Sequence, residues 1–311
     1  MKRYVTMRIL FVVFNVFLLG TLLFFALTFA NFNVWASMPP SESYPIILRL
    51  YRVFLEQRIL AGDWGLTASG DLVREVVVPR FWITMRYNLI ALAVYTPVGI
   101  AIGAISAYYK DSLFDRVFNT LTLVFGSIPM YILIFILIIV LGFQLGWFPP
   151  HRSYIPGTFW GSVWGLGIPI LALSAGAVSK ISRVVRYEMI DTLQSDYVLL
   201  AKTKGLTKGQ IFARHLLKNS IVSVFPVMMD VFLLVLMGSF FVEMSFGIHG
   251  VAELLYEAIV GLYPELEINF IAIDVNTIVI ICTFYMLVAF VFGLFVDLMH
   301  HVVDPRINVT H

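Results

Sequence analysis

The sequence predicts an all-α integral membrane protein with six transmembrane helices. Three observations carry that prediction: 60% of the residues are hydrophobic, only 13% are charged, and apolar runs of near-bilayer length recur from end to end. Soluble chains carry roughly a quarter charged residues. A helix needs about 20 apolar residues to cross the hydrocarbon core. The mean hydropathy of +0.90 points the same way.

The six runs lie at about 9 to 30, 82 to 108, 116 to 145, 164 to 185, 220 to 245 and 275 to 299. Lys2, Arg3 and Arg8 flank the first, which exceeds the roughly 7 to 15 apolar residues of a secretory signal and so reads as a retained helix. Residues 31 to 80 then form a long polar-flanked connection containing "YPIILRLYRVFLEQRIL". Pro45 suits a helix start there, and the apolar spacing predicts an amphipathic helix that covers the bundle or meets an external partner.

The second run carries Gly99 and Gly103 in a GxxxG spacing, a mark of close helix packing. The fifth carries Asp230 near its middle, where a charge costs about 2.5 to 3.5 kcal/mol on insertion scales. Asp230 should therefore face a cavity or a partner, lining a path or packing an interface. Asn88, Gln144 and Asn276 are weaker candidates for a path, since isolated amides also join helices. The interval 246 to 274 holds Glu253, Glu257, Glu265, Glu267 and Asp274 with no Lys or Arg, an acidic loop.

Six spans place both termini on one side. Fourteen Lys and Arg residues fall there, among them Lys110, Arg116, Lys180, Arg183, Arg186, Lys208, Arg214, Lys218 and Arg306. Seven fall opposite: Arg49, Arg52, Arg58, Arg74, Arg80, Arg86 and Arg152. The excess predicts cytoplasmic termini. Cys282 stands alone, so no intramolecular disulfide or cysteine metal site can form. Six scattered histidines, including the adjacent His300 and His301, make no metal site, and a net charge of +2 does not argue for nucleic acid. No GxxxxGK[ST] phosphate loop occurs, so the chain is expected to bind no ATP and no other cofactor.

One polar interval interrupts this pattern, "QSDYVLLAKTKGLTKGQIFARHLLKNSI" at 194 to 221. Continuing from Met189, the residues Leu193, Tyr197, Leu200 and Ala201 recur at helical spacing and predict one apolar face. Gly205 follows where a helix closes on a left-handed residue, and Thr207 with Gln210 has capping-box spacing. The expectation is helix, glycine joint, helix. Residues 180 to 218 hold eight basic side chains against Glu188, Asp191 and Asp196, a net of +5. Such a segment could lie on anionic lipid or dock on a cytoplasmic protein.

The residues Asp196, Tyr197, Val198, Ala201, Lys202, Lys204, Gly205, Leu206, Arg214, His215, Leu217, Asn219 and Ser220 resemble the EAA-type coupling loop of ABC-importer permeases, in its dipeptide, oligopeptide and nickel form. Leu199 replaces the glutamate of the general pattern, and Ser223 replaces a proline, with Pro226 a turn later. Further motifs match in order. "GDWG" at 62 to 65, Thr84 with "GIAIG" at 99 to 103, "SIPM" at 127 to 130 and "LGWFP" ending at Pro149 all have counterparts. So does "VEMSFGIHGVAELL", with Glu243, Phe246 and Gly250 kept and His249 in place of proline. "DPRI" at 304 to 307 resembles the tail of the subunit type with a long outer segment after its first helix.

The resemblance covers essentially the whole chain. It implies the ABC-importer permease fold: residues 1 to 80 as a first helix plus outer segment, 81 to 311 as a five-helix domain, and a coupling loop at about 188 to 220. Implied partners are a second related permease, two cytoplasmic ATPases that bind the ATP, and an extracytoplasmic solute-binding protein, at a prokaryotic cell membrane. Leu193, Asp196, Tyr197, Ala201, Lys202, Lys204 and Gly205 would couple to the ATPase. Peptides are the first expected substrate, with oligosaccharides or nickel complexes as alternatives. A secondary transporter or channel would instead need a relay of buried ionisable groups or matched broken helices, and Asp230 is nearly alone. A membrane enzyme would need clustered catalytic groups, and none is evident in the sequence.

Overall fold

The computed structural model describes residues 2–30, 39–150, 164–212, 216–260 and 273–303. Arg152, Arg214, His215, Glu265, Glu267, Arg306 and the "DPRI" tail lie outside the described residues, as do the side chains of Lys2, Arg3, Arg58, Lys218, Asn219, His300 and His301. The described backbone is helical: α1 Lys2–Ala30, α2 Pro40–Val53 running into a wider π turn Phe54–Leu60, α3 Val73–Tyr108, α4 Leu113–Ser127 and α5 Met130–Leu137 with a π turn Ile138–Gln144. After these come α6 Gly167–Leu193, α7 Asp196–Thr203, α8 Lys208–Ile211, α9 Leu217–Phe246, α10 Val251–Val260 and α11 Val275–Val303. Helices α1, α3, α6, α9 and α11 are each long and apolar enough to cross a membrane.

The expected single span at 116 to 145 is instead a bent pair. α4 and α5 meet at 109°, and the chain reaches six spans when this pair counts as one. The cause is local. Ile128 is extended at ψ 123 and Pro129 opens α5, because proline disfavours helical backbone in the residue before it.

The chain gathers into two compact units, Met1–Thr84 with His249–Val291, and Met85–Ile248 with Phe292–His311. In the second unit α6 is the central helix, with Ile170, Leu173, Ile181, Val185 and Met189 buried along its length. Gly99 and Gly103 of α3 let the two backbones approach. A Cβ at Gly99 would lie 2.9 Å from the Ile181 side chain, and one at Gly103 would strike the Ser182 carbonyl. Gly103→Leu should therefore lower the detergent melting point through about 1–3 kcal/mol of overpacking. Gly20→Leu, where an added Cβ meets nothing within 4 Å, serves as control. Equal melting of the two variants would dismiss this packing account.

α9 joins α3 through buried polar pairs. Tyr87 Oη donates to Glu243 Oε1 at 2.6 Å, and Asn88 Nδ2 donates to Ser239 Oγ at 2.8 Å. Burying these groups unpaired would cost free energy, so the bonds fix the register of the two helices. Phe232 stacks on Phe292 at 4.1 Å to add α11's later turns.

The first unit is built around Phe24, Phe54 and Val279, drawn from α1, the π turn after α2, and α11. α2 starts at Pro40 rather than Pro45, which lies inside it. Ile47 and Phe54 are buried while Tyr44 and Leu48 are exposed, so one face of the predicted amphipathic helix covers this unit. The "GDWG" motif is a turn: Gly62 and Gly65 take φ +69 and +72, and Asp63 Oδ1 accepts the Gly65 N–H at 2.9 Å. Thr84 Oγ1 accepts the Val251 N–H at 2.9 Å, satisfying a donor in the first turn of α10.

The predicted acidic loop is partly neutralised. Arg80 donates to Glu257 at 2.9 Å and lies 3.9 Å from Glu253, which also meets His249 Nδ1 at 2.8 Å. Asp274 accepts the N–H groups of Ala68 at 2.8 Å and Thr277 at 3.0 Å, joining the turn before α3 to the start of α11.

Candidate functional site: a helical elbow and a charge pair between helices

The polar interval begins where α6 stops. Gln194 and Ser195 donate their N–H groups to Asp191 and Thr192 at 3.0 and 3.1 Å, and extended Ser195 then precedes α7. Leu193 and Tyr197 thus belong to different helices. This corrects the single apolar face expected from Met189 to Ala201, because the Gln194–Ser195 break resets the helical phase. Asp196 sits in the first turn of α7, where a carboxylate complements the helix dipole.

Within α7 the two faces separate cleanly. Val198 and Ala201 are buried at 0% and 5% exposure, whereas Tyr197, Leu199 and Leu200 are 41%, 61% and 55% exposed. Ala201 therefore packs inward, and Tyr197 and Leu200 look outward beside exposed Lys202 and Lys204. Leu193 is half-buried at the end of α6.

Gly205 turns the chain at φ +79. Its N–H reaches Lys202 O at 3.0 Å and the Leu206 N–H reaches Ala201 O at 3.2 Å, a glycine-centred closure of α7. Thr207 and Gln210 then form the full capping box of α8. Ile211 is buried, and the Phe212 ring meets Tyr108 at the end of α3 edge-on at 5.1 Å. The expected helix, joint, helix geometry is present, pinned from below and open above.

Two turns before α6 ends, Arg186 grips Asp115 with Nε to Oδ1 at 2.6 Å and Nη2 to Oδ2 at 2.8 Å. Asp115 also accepts the N–H of Asp111, which holds φ +66, at 3.0 Å. This carboxylate thereby ties the α3–α4 turn to the helix that feeds the elbow. Neither partner was singled out from the sequence, because residues so far apart in the chain carry no pairing signal.

Asp230 projects from the middle of α9 with its side chain 71% exposed, and Lys180 Nζ from the middle of α6 lies 3.8 Å away. Lys180, counted above among flanking charges, is thus partnered within the helical bundle. The other three path candidates stand elsewhere, with exposed Gln144 at the end of the π turn after α5. Asn88 is fully buried against Ser239, and Asn276 donates to the carbonyls of Trp64 and Leu66 at 2.7 and 3.2 Å, tethering the Gly62–Gly65 turn. Each of these two amides thus bonds a second segment of the chain. Among the described residues no cluster of three or more His, Cys, Asp or Glu could hold a metal ion.

The chain is similar to known transport proteins. The chain is 27% identical over 321 residues to the dipeptide transport system permease protein DppB of Lactococcus lactis, covering 99% of this chain and all of that one. It is 23% identical to the oligopeptide transport system permease protein OppB of Haemophilus influenzae, again over 99% of this chain and the full relative. In three dimensions it is similar to a chain of the MetNI methionine ABC transporter in an inward-facing conformation, with a TM-score of 0.57, 15% identity, and 74% of this chain against 96% of that one covered. Residues 99–309 match the family described as the binding-protein-dependent transport system inner membrane component. The chain belongs to that family and is a multi-pass permease subunit of an ABC importer, a transport component rather than an enzyme.

Proposed function

We propose that this permease imports peptides delivered by an extracytoplasmic binding protein, and that residues of the 188 to 220 interval couple it to cytoplasmic ATPases. The observation that carries the coupling role is the two-faced α7. Val198 and Ala201 anchor it to its own chain, while Tyr197, Leu199 and Leu200 stand exposed beside Lys202 and Lys204. An apolar centre flanked by cations suits a protein groove with an acidic rim. Lipid attraction alone would not require the fixed Gly205 corner. Asp196 and Leu193 flank this surface and would set its entry angle from α6.

Peptide as substrate is supported by the full-length relatives, whose names state dipeptide and oligopeptide transport. Half of the pathway would come from this chain and half from a second, related permease, with ATP bound by two ATPase subunits. The Lys and Arg bias supports a cytoplasmic position for the termini and the elbow. ATPase closure would then pull on the elbow and move α6 as a rigid element.

Brief cross-linking in native membranes followed by mass spectrometry of the co-purified proteins tests this assembly. Recovery of a second permease, ATPases and a binding protein is the expected result; the chain alone, or only with copies of itself, would overturn it. Reversing both Lys202 and Lys204 to Glu should remove the ATPases from the complex while the second permease stays bound. Retention of ATPases by that variant at physiological salt would remove these lysines from the docking surface.

A further inference from the structure

Asp230 sits at the centre of the apolar α9, and Lys180 is the first charge of α6, where that helix's apolar half ends, yet both side chains are accessible on the surface of their compact unit. Charges at that depth are tolerated where they face water or another polar group. Their separation of 3.8 Å is beyond hydrogen-bonding distance. Each head therefore keeps donors or acceptors for a third group. From Asp230 the exposed face of α9 continues through Leu234, Met237 and Phe241 at helical spacing, with Tyr131 of α5 against the Phe241 ring at 5.6 Å.

We infer that Lys180 and Asp230 form a docking point for the amino-terminal residue of a peptide in transit. Asp230 takes the free α-ammonium, and Lys180 donates to the carbonyl oxygen of the same residue. Those two backbone groups lie about 3 Å apart by standard dimensions, close to the spacing of the pair. The apolar, methionine-bearing stripe accepts side chains of varied shape, as flexible thioethers do. From Asp230 to Phe241 is about 16 Å of helix, the reach of roughly four or five extended residues. This assignment rests on the peptide-importer reading and adds a chemical requirement to it, a free amino terminus.

The test is ATP-driven uptake by the complete importer in proteoliposomes, comparing a short peptide with its N-acetylated form in wild type, D230N and a K180D/D230K charge swap. The binding protein is common to all three, so a change in the free-to-acetylated ratio belongs to the permease. The ratio should fall about tenfold in D230N, the scale of one charge-assisted hydrogen bond, through maximal rate rather than KM. The swap should not restore it, because the charges then face the wrong ends of the residue. An unchanged ratio in a transporting D230N complex overturns the docking point and leaves the importer reading intact. Loss of the second permease from D230N overturns it in favour of a subunit contact. Wild type that imports no peptide at all refutes the substrate class, and this assignment with it.

Discussion

Gly205→Pro should abolish transport while leaving membrane insertion intact. The native φ of +79 is out of reach for proline, whose ring fixes φ near −65°, and proline also lacks the N–H that bonds Lys202 O at 3.0 Å. The incompatibility is worth about 3 kcal/mol or more, enough to reorient α8 and the capping box behind it. Crowding is not the cause, since an added Cβ at Gly205 meets nothing within 4 Å. A graded series follows from that distinction. Gly205→Asn, which tolerates the left-handed region, should keep most uptake, and Gly205→Val should fall between Asn and Pro. Uptake measured at matched membrane levels, with ATPase co-purification alongside, reads the series. If Pro and Asn behave alike, the backbone corner does not matter to coupling.

The elbow was legible in the sequence because its signals are local. A glycine after a helical stretch and a Thr-to-Gln spacing of three each report on backbone groups a few residues away, and both took the geometry they imply. The GxxxG of α3 was legible for the same reason: a missing Cβ is itself the packing feature. Apolar periodicity carried through Gln194 and Ser195 gives the wrong face for α7, because the helix restarts at Asp196. Ser195 followed by Asp196 is a helix-start pattern, and giving it priority would have turned Val198 and Ala201 inward.

The bend between α4 and α5 was hidden for a different reason. Apolar composition is continuous across Ile128–Pro129, so a hydropathy window cannot distinguish one straight crossing from two helices meeting at 109°. Pro129 was the available signal. Pairings such as Lys180 with Asp230, Arg186 with Asp115 and Arg80 with Glu257 depend on helices being brought side by side. A single sequence states the charges and leaves their partners open. For that reason the sequence alone does not state that Asn88 bonds Ser239, that Asn276 bonds the Trp64 carbonyl, or that Lys180 is the cation nearest Asp230.

Asp115→Asn should destabilise the permease and uncouple it at once. Asp115 is 3% exposed and serves three donors, the two arms of Arg186 and the Asp111 N–H. An amide in its place can accept only at one atom, which leaves one arm of the guanidinium facing an N–H donor. Breaking a buried ion pair from one side costs about 3–5 kcal/mol, and the partial exposure of Arg186 moves the expectation to roughly 2–3 kcal/mol. Arg186→Lys should cost less but not nothing, because an ammonium cannot reproduce the two parallel bonds. The double variant should then be less destabilised than the sum of the singles, with a coupling energy of about 1–2 kcal/mol from melting of the detergent-solubilised complex. A coupling near zero would mean that the fork contributes nothing as a pair. The functional half follows from position, because Arg186 lies about two turns before the end of α6 and its partner holds the α3–α4 turn. With that tie loosened, movement of the elbow would be absorbed near the end of α6 instead of carried along it. Binding-protein-stimulated ATP hydrolysis should therefore persist in Asp115→Asn while uptake per ATP falls several-fold, and a constant ratio would assign the pair to stability alone.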